Sequence, residues 1–207
     1  MTPLKPALTL RPYRNTDLAA MYDICLRTAD AGNDGVHLYR DPWVLGHIYA
    51  GPYVTFAPEF AFVLDDGVRA VGYILGVPDS QRYAAETGRQ WYPLLRPLYP
   101  LFEESDRSPE AAARRLIHAG YQAPKQAWLA DYPAHLHIDL LPQAQGQGQG
   151  RALMERLWAA LREAGVPGVH LGVGAANTRA YAFYRHLGFT ELEKVDGKFW
   201  TLGYDLR

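Results

Sequence analysis

The run Gln145-Gly146-Gln147-Gly148-Gln149-Gly150-Arg151 constrains this chain more than any other stretch. It lies between an apolar, strand-like segment, Leu136 to Leu141, and a helical one, Ala152 to Ala164. Glycine carries no Cβ, so such a turn lets a ligand approach the backbone closely. The first N–H groups of a helix have no partner within the helix, and the helix dipole adds positive potential there. Strand, glycine turn and helix together therefore predict a cradle for phosphate. A flexible Gly/Gln linker is the competing reading. The patterned segments that abut the run on both sides argue against it.

Three phosphate-binding patterns compete for the run. A P-loop requires Gly-x4-Gly-Lys-Ser/Thr, and no glycine here is followed by Lys and then Ser or Thr. A dinucleotide fingerprint requires Gly-x-Gly-x-x-Gly. From Gly146 its third position falls on Arg151, and from Gly148 on Leu153. The pattern Gln-x-x-Gly-x-Gly does fit, in two overlapping registers, Gln143 to Gly148 and Gln145 to Gly150. The second is preferred because it puts Arg151 directly at the helix start.

Bulk properties exclude several classes. The 207 residues suit one domain, 1–207, able to bury roughly 70% of its unfolded surface. The formal net charge is −1, so no nucleic-acid footprint is expected. Cys25 is the sole cysteine, which rules out an internal disulfide and a multi-cysteine metal site. Its place in the apolar pattern Leu18, Met21, Tyr22, Cys25 predicts packing, not nucleophilic work. No apolar run approaches the roughly 20 residues that span a bilayer. A cytoplasmic location without membrane attachment is the simplest expectation.

Periodicity and punctuation give an element order. A short strand at Thr9 to Arg11 precedes a helix capped by Thr16-Asp17 and running to about Ala29. Asp41-Pro42 is expected to open a short helix. Phe60 to Leu64 and Val68 to Val77 form a hairpin around Asp65-Asp66-Gly67. Residues 78–132, rich in Pro, Tyr and Trp, read as an elaboration inserted between two strands, with a helix from Ser108-Pro109 to Gly120. A strand from Ala134, the glycine run and its helix follow. Then come a strand at Val169 to Val173, a helix from Asn177 to Leu187, and a closing hairpin around Asp196-Gly197. The mixed order predicts an α/β sheet with antiparallel and parallel pairs.

Two blocks carry a family resemblance. Leu140-Leu141-Pro142-Gln-Ala-Gln145-Gly-Gln-Gly148-Gln-Gly150-Arg-Ala-Leu153 resembles the acetyl-CoA-binding loop of the GNAT superfamily of N-acetyltransferases. Asn177-x-x-Ala180-x-x-Phe183-Tyr184-x-x-Leu187-Gly188-Phe189 resembles its later CoA-binding helix. The N-terminal half, with Arg11-Pro-Tyr13, Asp30-Ala-Gly-Asn-Asp34-Gly35 and Gly72-Tyr-Ile-Leu-Gly76, is similar to bacterial acetyltransferases related to the C-terminal domain of animal O-GlcNAcase. The resemblance implies a GNAT fold: a mixed, mostly antiparallel sheet flanked by helices, with the insertion preceding the cofactor-binding strand.

The resemblance also implies acetyl transfer from acetyl-CoA directly to an amine of a small molecule or peptide. It implies that the backbone of Leu140 and Leu141 pairs with the pantetheine arm, and that Gln145, Gly146, Gln147, Gly148, Gln149, Gly150 and Arg151 hold the pyrophosphate. Asn177 would bond the pantetheine arm, and Tyr184 would protonate the departing thiolate. Aromatic packing at a helix end is the plainer role for Tyr184. His135, His137 and Asp139 share one strand face. His137 or Asp139 is thereby a candidate base, with a structural hydrogen-bond network as the equal alternative. A metal at His135-x-His137 is disfavoured, since Asp139 lies about 13 Å along the strand from His135. The aromatic insertion is expected to wall the acceptor pocket, with ordinary packing or a homodimer contact as alternatives. The rival to an enzyme is a noncatalytic acetyl-CoA-binding module.

Overall fold

The structure is a computed structural model that describes residues 7–207. Seven strands form one sheet: β1 Thr9–Pro12, β2 Ala61–Asp65, β3 Ala70–Val77, β4 Ala134–Leu140, β5 Gly168–Gly174, β6 Thr190–Val195 and β7 Phe199–Asp205. Their spatial order is β1-β2-β3-β4-β5-β7-β6. Every neighbouring pair is antiparallel except β4 and β5. β3 is buried along its whole length, as befits a near-continuous apolar strand covered on both faces.

The helices are α1 Leu18–Arg27, α2 Gly46–Tyr49, α3 Gly51–Phe56, α4 Ser80–Gln90, α5 Tyr92–Leu95, α6 Pro109–Ala119, α7 Gln149–Glu163 and α8 Thr178–His186. The apolar stripe Leu153, Met154, Leu157, Trp158 and Leu161 fixes α7 against the sheet and is buried. Gly76 marks the crossing, where a Cβ would come within 2.7 Å of Leu157. The opposite face of β3 carries Tyr73, against α1. One buried cluster runs from Met21 through Tyr73 and Leu157 to Leu206 and includes Tyr83, Tyr92 and Ile117 of the insertion.

The parallel pair sets up the site. β4 and β5 pair through Ala134 with Val169 and His135 with His170, and beyond these rungs the strands part. The insertion is closed at its neck, where both the N–H and the hydroxyl of Ser80 donate to Pro133 O, at 2.9 and 2.7 Å. It is pinned to the preceding segment by Glu110. That buried carboxylate accepts from the Arg40 N–H and from Arg114, each at 2.7 Å.

Several expectations need correction. Asp17 holds the N-cap position of α1, but its side chain makes no bond to that helix. It sits in a short 3-10 turn, and its carboxylate binds the Arg11 guanidinium at 2.7 and 2.8 Å. Arg11 also bonds Asp65, tying β1 to the end of β2. Asp41-Pro42 forms a turn, with Asp41 accepting from the Trp43 N–H, and the helix begins at Gly46. α7 starts at Gln149, so Arg151 lies inside its first turn and not at its first position. α4 and α5 were not foreseen. Among the described residues, no helix is long and apolar enough to cross a membrane.

Candidate functional site

The glycine turn is a bare helix entrance. Gly148 is the N-cap of α7 in the left-handed conformation, with φ of 75°, and no side chain caps the helix. Gly146 is also left-handed, at φ 76°, a conformation that costs other residues roughly 1–2 kcal/mol. The first backbone bond into α7 runs from the Ala152 N–H to Gly148 O. The N–H groups from Gly146 to Arg151 have no partner among the described residues. A Cβ on Gly146 or Gly148 would meet nothing within 4 Å, so the space beyond these amides is open.

β4 continues this line of free donors. The Leu141 N–H donates to Val71 O at 2.9 Å, on the β3 side. Backbone groups alternate along a strand, so the Leu140 N–H faces the gap toward β5. The gap widens into a cavity of about 780 Å³, within the size range of cofactor sites. Leu136 to Leu140, Gly146, Gly148, Gly150, Arg151, Gly172, Gly174, Asn177 and Tyr184 all line it.

The expected cofactor residues divide here. Leu140 keeps its free N–H. Leu141 is a correction: its N–H is spent on Val71, its C=O accepts from Ala144, and its side chain is buried. Gln145 also departs from expectation. Its N–H is bonded to Pro142 O, while its side chain donates to Leu140 O at 2.7 Å and accepts from Arg179 at 2.9 Å. It braces the end of β4 and offers no donor to an anion through its backbone. Gln147 and Gln149 are not among the residues that line the cavity, and the Gln147 side chain turns back to Gln143 O at 3.5 Å. Asn177 caps α8, with its side-chain oxygen accepting from the Ala180 N–H at 3.0 Å. Its amide nitrogen remains for the cavity.

Sequence reading missed Arg179, Thr28 and the strand glycines Gly172 and Gly174, all of which line the cavity. Arg179 was detectable as the only basic residue in the first turn after Asn177. Gly172 and Gly174 alternate along β5 on the side that a side chain would obstruct.

The candidate catalytic groups fall at the deep end. Tyr184 is buried, and burial, reinforced by nearby Asp139, holds its hydroxyl protonated well above the usual phenol range. Asp139 accepts from the Tyr73 hydroxyl at 2.5 Å. Burial raises its pKa, opposed by the Tyr73 and Thr28 hydroxyls. His137 packs against Tyr49 and Tyr53, with ring centroids 5.2 Å away in each case. Burial pushes it down to about 4, so it is neutral at neutral pH.

His135 belongs to a structural network and not to the site's open wall. Its ring nitrogens meet the Tyr53 hydroxyl at 2.8 Å and the Ser80 hydroxyl at 2.7 Å. Cys25 is buried beside Tyr73, and burial pushes its thiol far up, so it is no nucleophile. Among the described residues, no group of three or more His, Cys, Asp or Glu side chains is placed to hold a metal.

A mostly antiparallel sheet parted at one parallel pair, with a glycine-turn helix at the mouth of the gap, defines an acyltransferase-type fold. The chain belongs to the acetyltransferase (GNAT) family, whose sequence profile matches residues 35–189. It is 26% identical over 198 residues to rat protein O-GlcNAcase, covering 95% of this chain and 22% of that protein. It is 35% identical over 196 residues to the mycothiol acetyltransferase of Cellulomonas flavigena, covering 86% of this chain and 55% of that protein. The chain thus spans about a fifth to a half of the length of these curated relatives. The crystal structure of SsHAT superposes with a TM-score of 0.88 at 47% sequence identity, covering 98% of this chain and 100% of that one.

Proposed function

We propose that this protein is an acetyl-CoA-dependent N-acetyltransferase acting on the amine of a small molecule or peptide. The observation that carries the reading is that two sets of unpartnered backbone donors, the Leu140 N–H on β4 and those from Gly146 to Arg151 at the α7 entrance, meet at one cavity. Such a pair suits a long, thin ligand with an amide-bearing arm and a pyrophosphate. The N–H groups at the α7 entrance, with the helix dipole and Arg151, would hold the pyrophosphate. The free edge of β4 and the Asn177 amide would hold the arm. Gln145 would act as the brace that keeps the β4 edge in place.

When bound, the thioester supplies an activated acetyl group. The Leu140 N–H is the donor nearest in kind to an oxyanion stabiliser. Tyr184 carries its proton at neutral pH and is the acid for the departing sulfur. The proton that the amine loses would go to Asp139, whose carboxyl burial makes more basic, or to neutral His137, which lines the cavities on both sides of the gap. Asp139 holds the Tyr73 hydroxyl beside it and offers a further acceptor on the same strand face. With Cys25 buried, the acetyl group passes straight to the amine without a covalent enzyme intermediate.

Calorimetry with acetyl-CoA tests the cofactor reading, and absence of binding at millimolar ligand would sink it. Thiol release with a panel of amines then separates an enzyme from a binding module. Binding without release from any amine would favour the module.

A further inference from the structure

A second cavity, of about 480 Å³, opens on the other side of the β4–β5 gap. It meets the first at Leu136, His137, Leu171 and Gly172, which line both. Its walls are Tyr49 and Tyr53 of α2 and α3, Tyr92, Tyr121 and Leu116 of the insertion, and Phe199 of β7. Resting on the function proposed above, we infer that this cavity receives the acceptor, and that the acceptor is a small primary amine that carries an aromatic ring and no other charged group.

The shape of the wall points to a ring. Tyr121 stacks on His135 at 4.5 Å between centroids and 13° between planes. Tyr53 meets His135 edge-on at 5.4 Å, and Tyr83 meets Tyr121 edge-on at 5.2 Å. These rings hold one another in place, and a planar guest finds preformed faces and edges. The volume lies at the low end for small-molecule sites.

The electrostatics point the same way. No Asp, Glu, Lys or Arg lines the cavity among the described residues. Its histidines are His135, His137 and His170, and burial lowers the pKa of all three. The hydroxyls of Tyr53 and Tyr121 are turned toward His135. The nearest carboxylate on the same strand face, Asp139, lines the other cavity and is bonded to Tyr73. A polyamine or a carboxylate-bearing acceptor would lose its hydration here without a compensating charge. A lysine peptide would bring its backbone polar groups to a wall with few free partners.

The chemistry balances with an acetyl thioester as the other reactant. The amine nitrogen bonds to the acetyl carbonyl carbon, and the carbon–sulfur bond breaks with its electron pair on sulfur. The nitrogen gives up one proton, to His137 at the junction of the two cavities or to Asp139, and the sulfur takes one, from Tyr184. An arylamine reaches the cavity uncharged, and an arylalkylamine must shed its proton first. Both present the same ring and the same nucleophile.

The test assays the full chain with acetyl-CoA by thiol release, using 4-methylaniline, 2-phenylethylamine, spermidine and a lysine-containing peptide. The expected result is that kcat/KM for at least one aromatic amine exceeds that for spermidine and the peptide by about tenfold or more. Which aromatic amine leads tells arylamine from arylalkylamine. Leu116 is 45% exposed at the rim, so Leu116→Glu should leave the fold and the acetyl-CoA affinity intact while raising KM for the aromatic amine about tenfold. Preference for spermidine or the peptide overturns the inference, as does acetyl-CoA binding with no release from either aromatic amine. If acetyl-CoA itself does not bind, the function reading fails separately. The cavity is then judged by saturation-transfer NMR with 4-methylaniline. A signal that Leu116→Glu abolishes upholds it, and no signal, or one that Leu116→Glu leaves unchanged, overturns it.

Discussion

The cavity on the α7 side presents backbone, whereas the cavity on the α3 and α6 side presents side chains. On the first side, glycines and free N–H groups stand at a helix entrance and along an unpaired strand edge. On the second, tyrosines and neutral histidines make the wall. A backbone wall recognises what is common to a ligand class, because every residue offers the same donors. A side-chain wall recognises what is particular, because it changes with every substitution. The β4–β5 gap joins the two, with His137 at the junction.

The comparison breaks most severely at Gly148. Gly148→Val forces a β-branched residue into a left-handed turn and places carbon in the open cradle. Acetyl-CoA affinity should fall by about 100-fold, or about 2.7 kcal/mol, while the melting temperature drops by only a few degrees. Calorimetry and thermal unfolding check the two halves. If affinity persists, the backbone wall does not hold the ligand.

Tyr184→Phe tests the deep end. It keeps the ring and its packing and removes the proton, so kcat should fall by about 100-fold with acetyl-CoA binding unchanged. An unchanged kcat with a working acceptor would return Tyr184 to a packing role.

The two sides should also answer pH in opposite senses. His137 has its folded pKa lowered from 6.5 to about 4. The unfolded chain therefore binds a proton that the folded chain refuses. Stability is lost as pH falls from 6.5 toward 4, and His135 and His170 act in the same direction. Asp139 has a raised carboxyl pKa, so its contribution is lost as pH rises from the ordinary carboxylate range. Denaturant unfolding at pH 7 and pH 5 should show lower stability at pH 5. His137→Asn should flatten that difference, and a steeper one would contradict the assignment.

The smallest effect is expected at Arg151. Its side chain is exposed, with a loose 3.7 Å contact to Glu155. Arg151→Ala should weaken acetyl-CoA by only a few-fold, and salt should shrink the difference further. A loss as large as that of Gly148→Val would shift the weight from backbone to side chain.

The contrast explains what the sequence made legible. The cofactor side is written locally: a strand, glycines and a helix in one stretch, then Asn177 to Phe189 as a second. Local spacing sufficed to locate both. It did not reveal that Leu141 and Gln145 have their N–H groups occupied, because that depends on Val71 and Pro142 across and along the fold. The short helix expected at Asp41 shifted to Gly46, since Asp41 spends its carboxylate on a turn instead of a cap. The α3 and α6 side was visible only as an aromatic-rich insertion. Its wall combines Tyr49, Tyr121 and Phe199, which are far apart in the chain and share no motif. Alternation placed His135 and His137 on one strand face and offered only His137, with Asp139, as a candidate base. The structure separates the two histidines, since Tyr53 and Ser80 occupy the ring of His135 alone.

The closed neck of the insertion has a consequence of its own. Ser80 and Pro133 hold its two ends together beside the first rung of β4, and the β3–β4 register runs on without a shift. The segment between them leaves and rejoins the sheet at one point, while its Tyr83, Tyr92 and Ile117 belong to the shared core. Replacing only its cavity-facing residues Leu116 and Tyr121 would reshape the cavity on the α3 and α6 side while the α7 entrance stays as it is. On the proposed function, the choice of acceptor can therefore vary by substitution at that wall without change to the glycine turn.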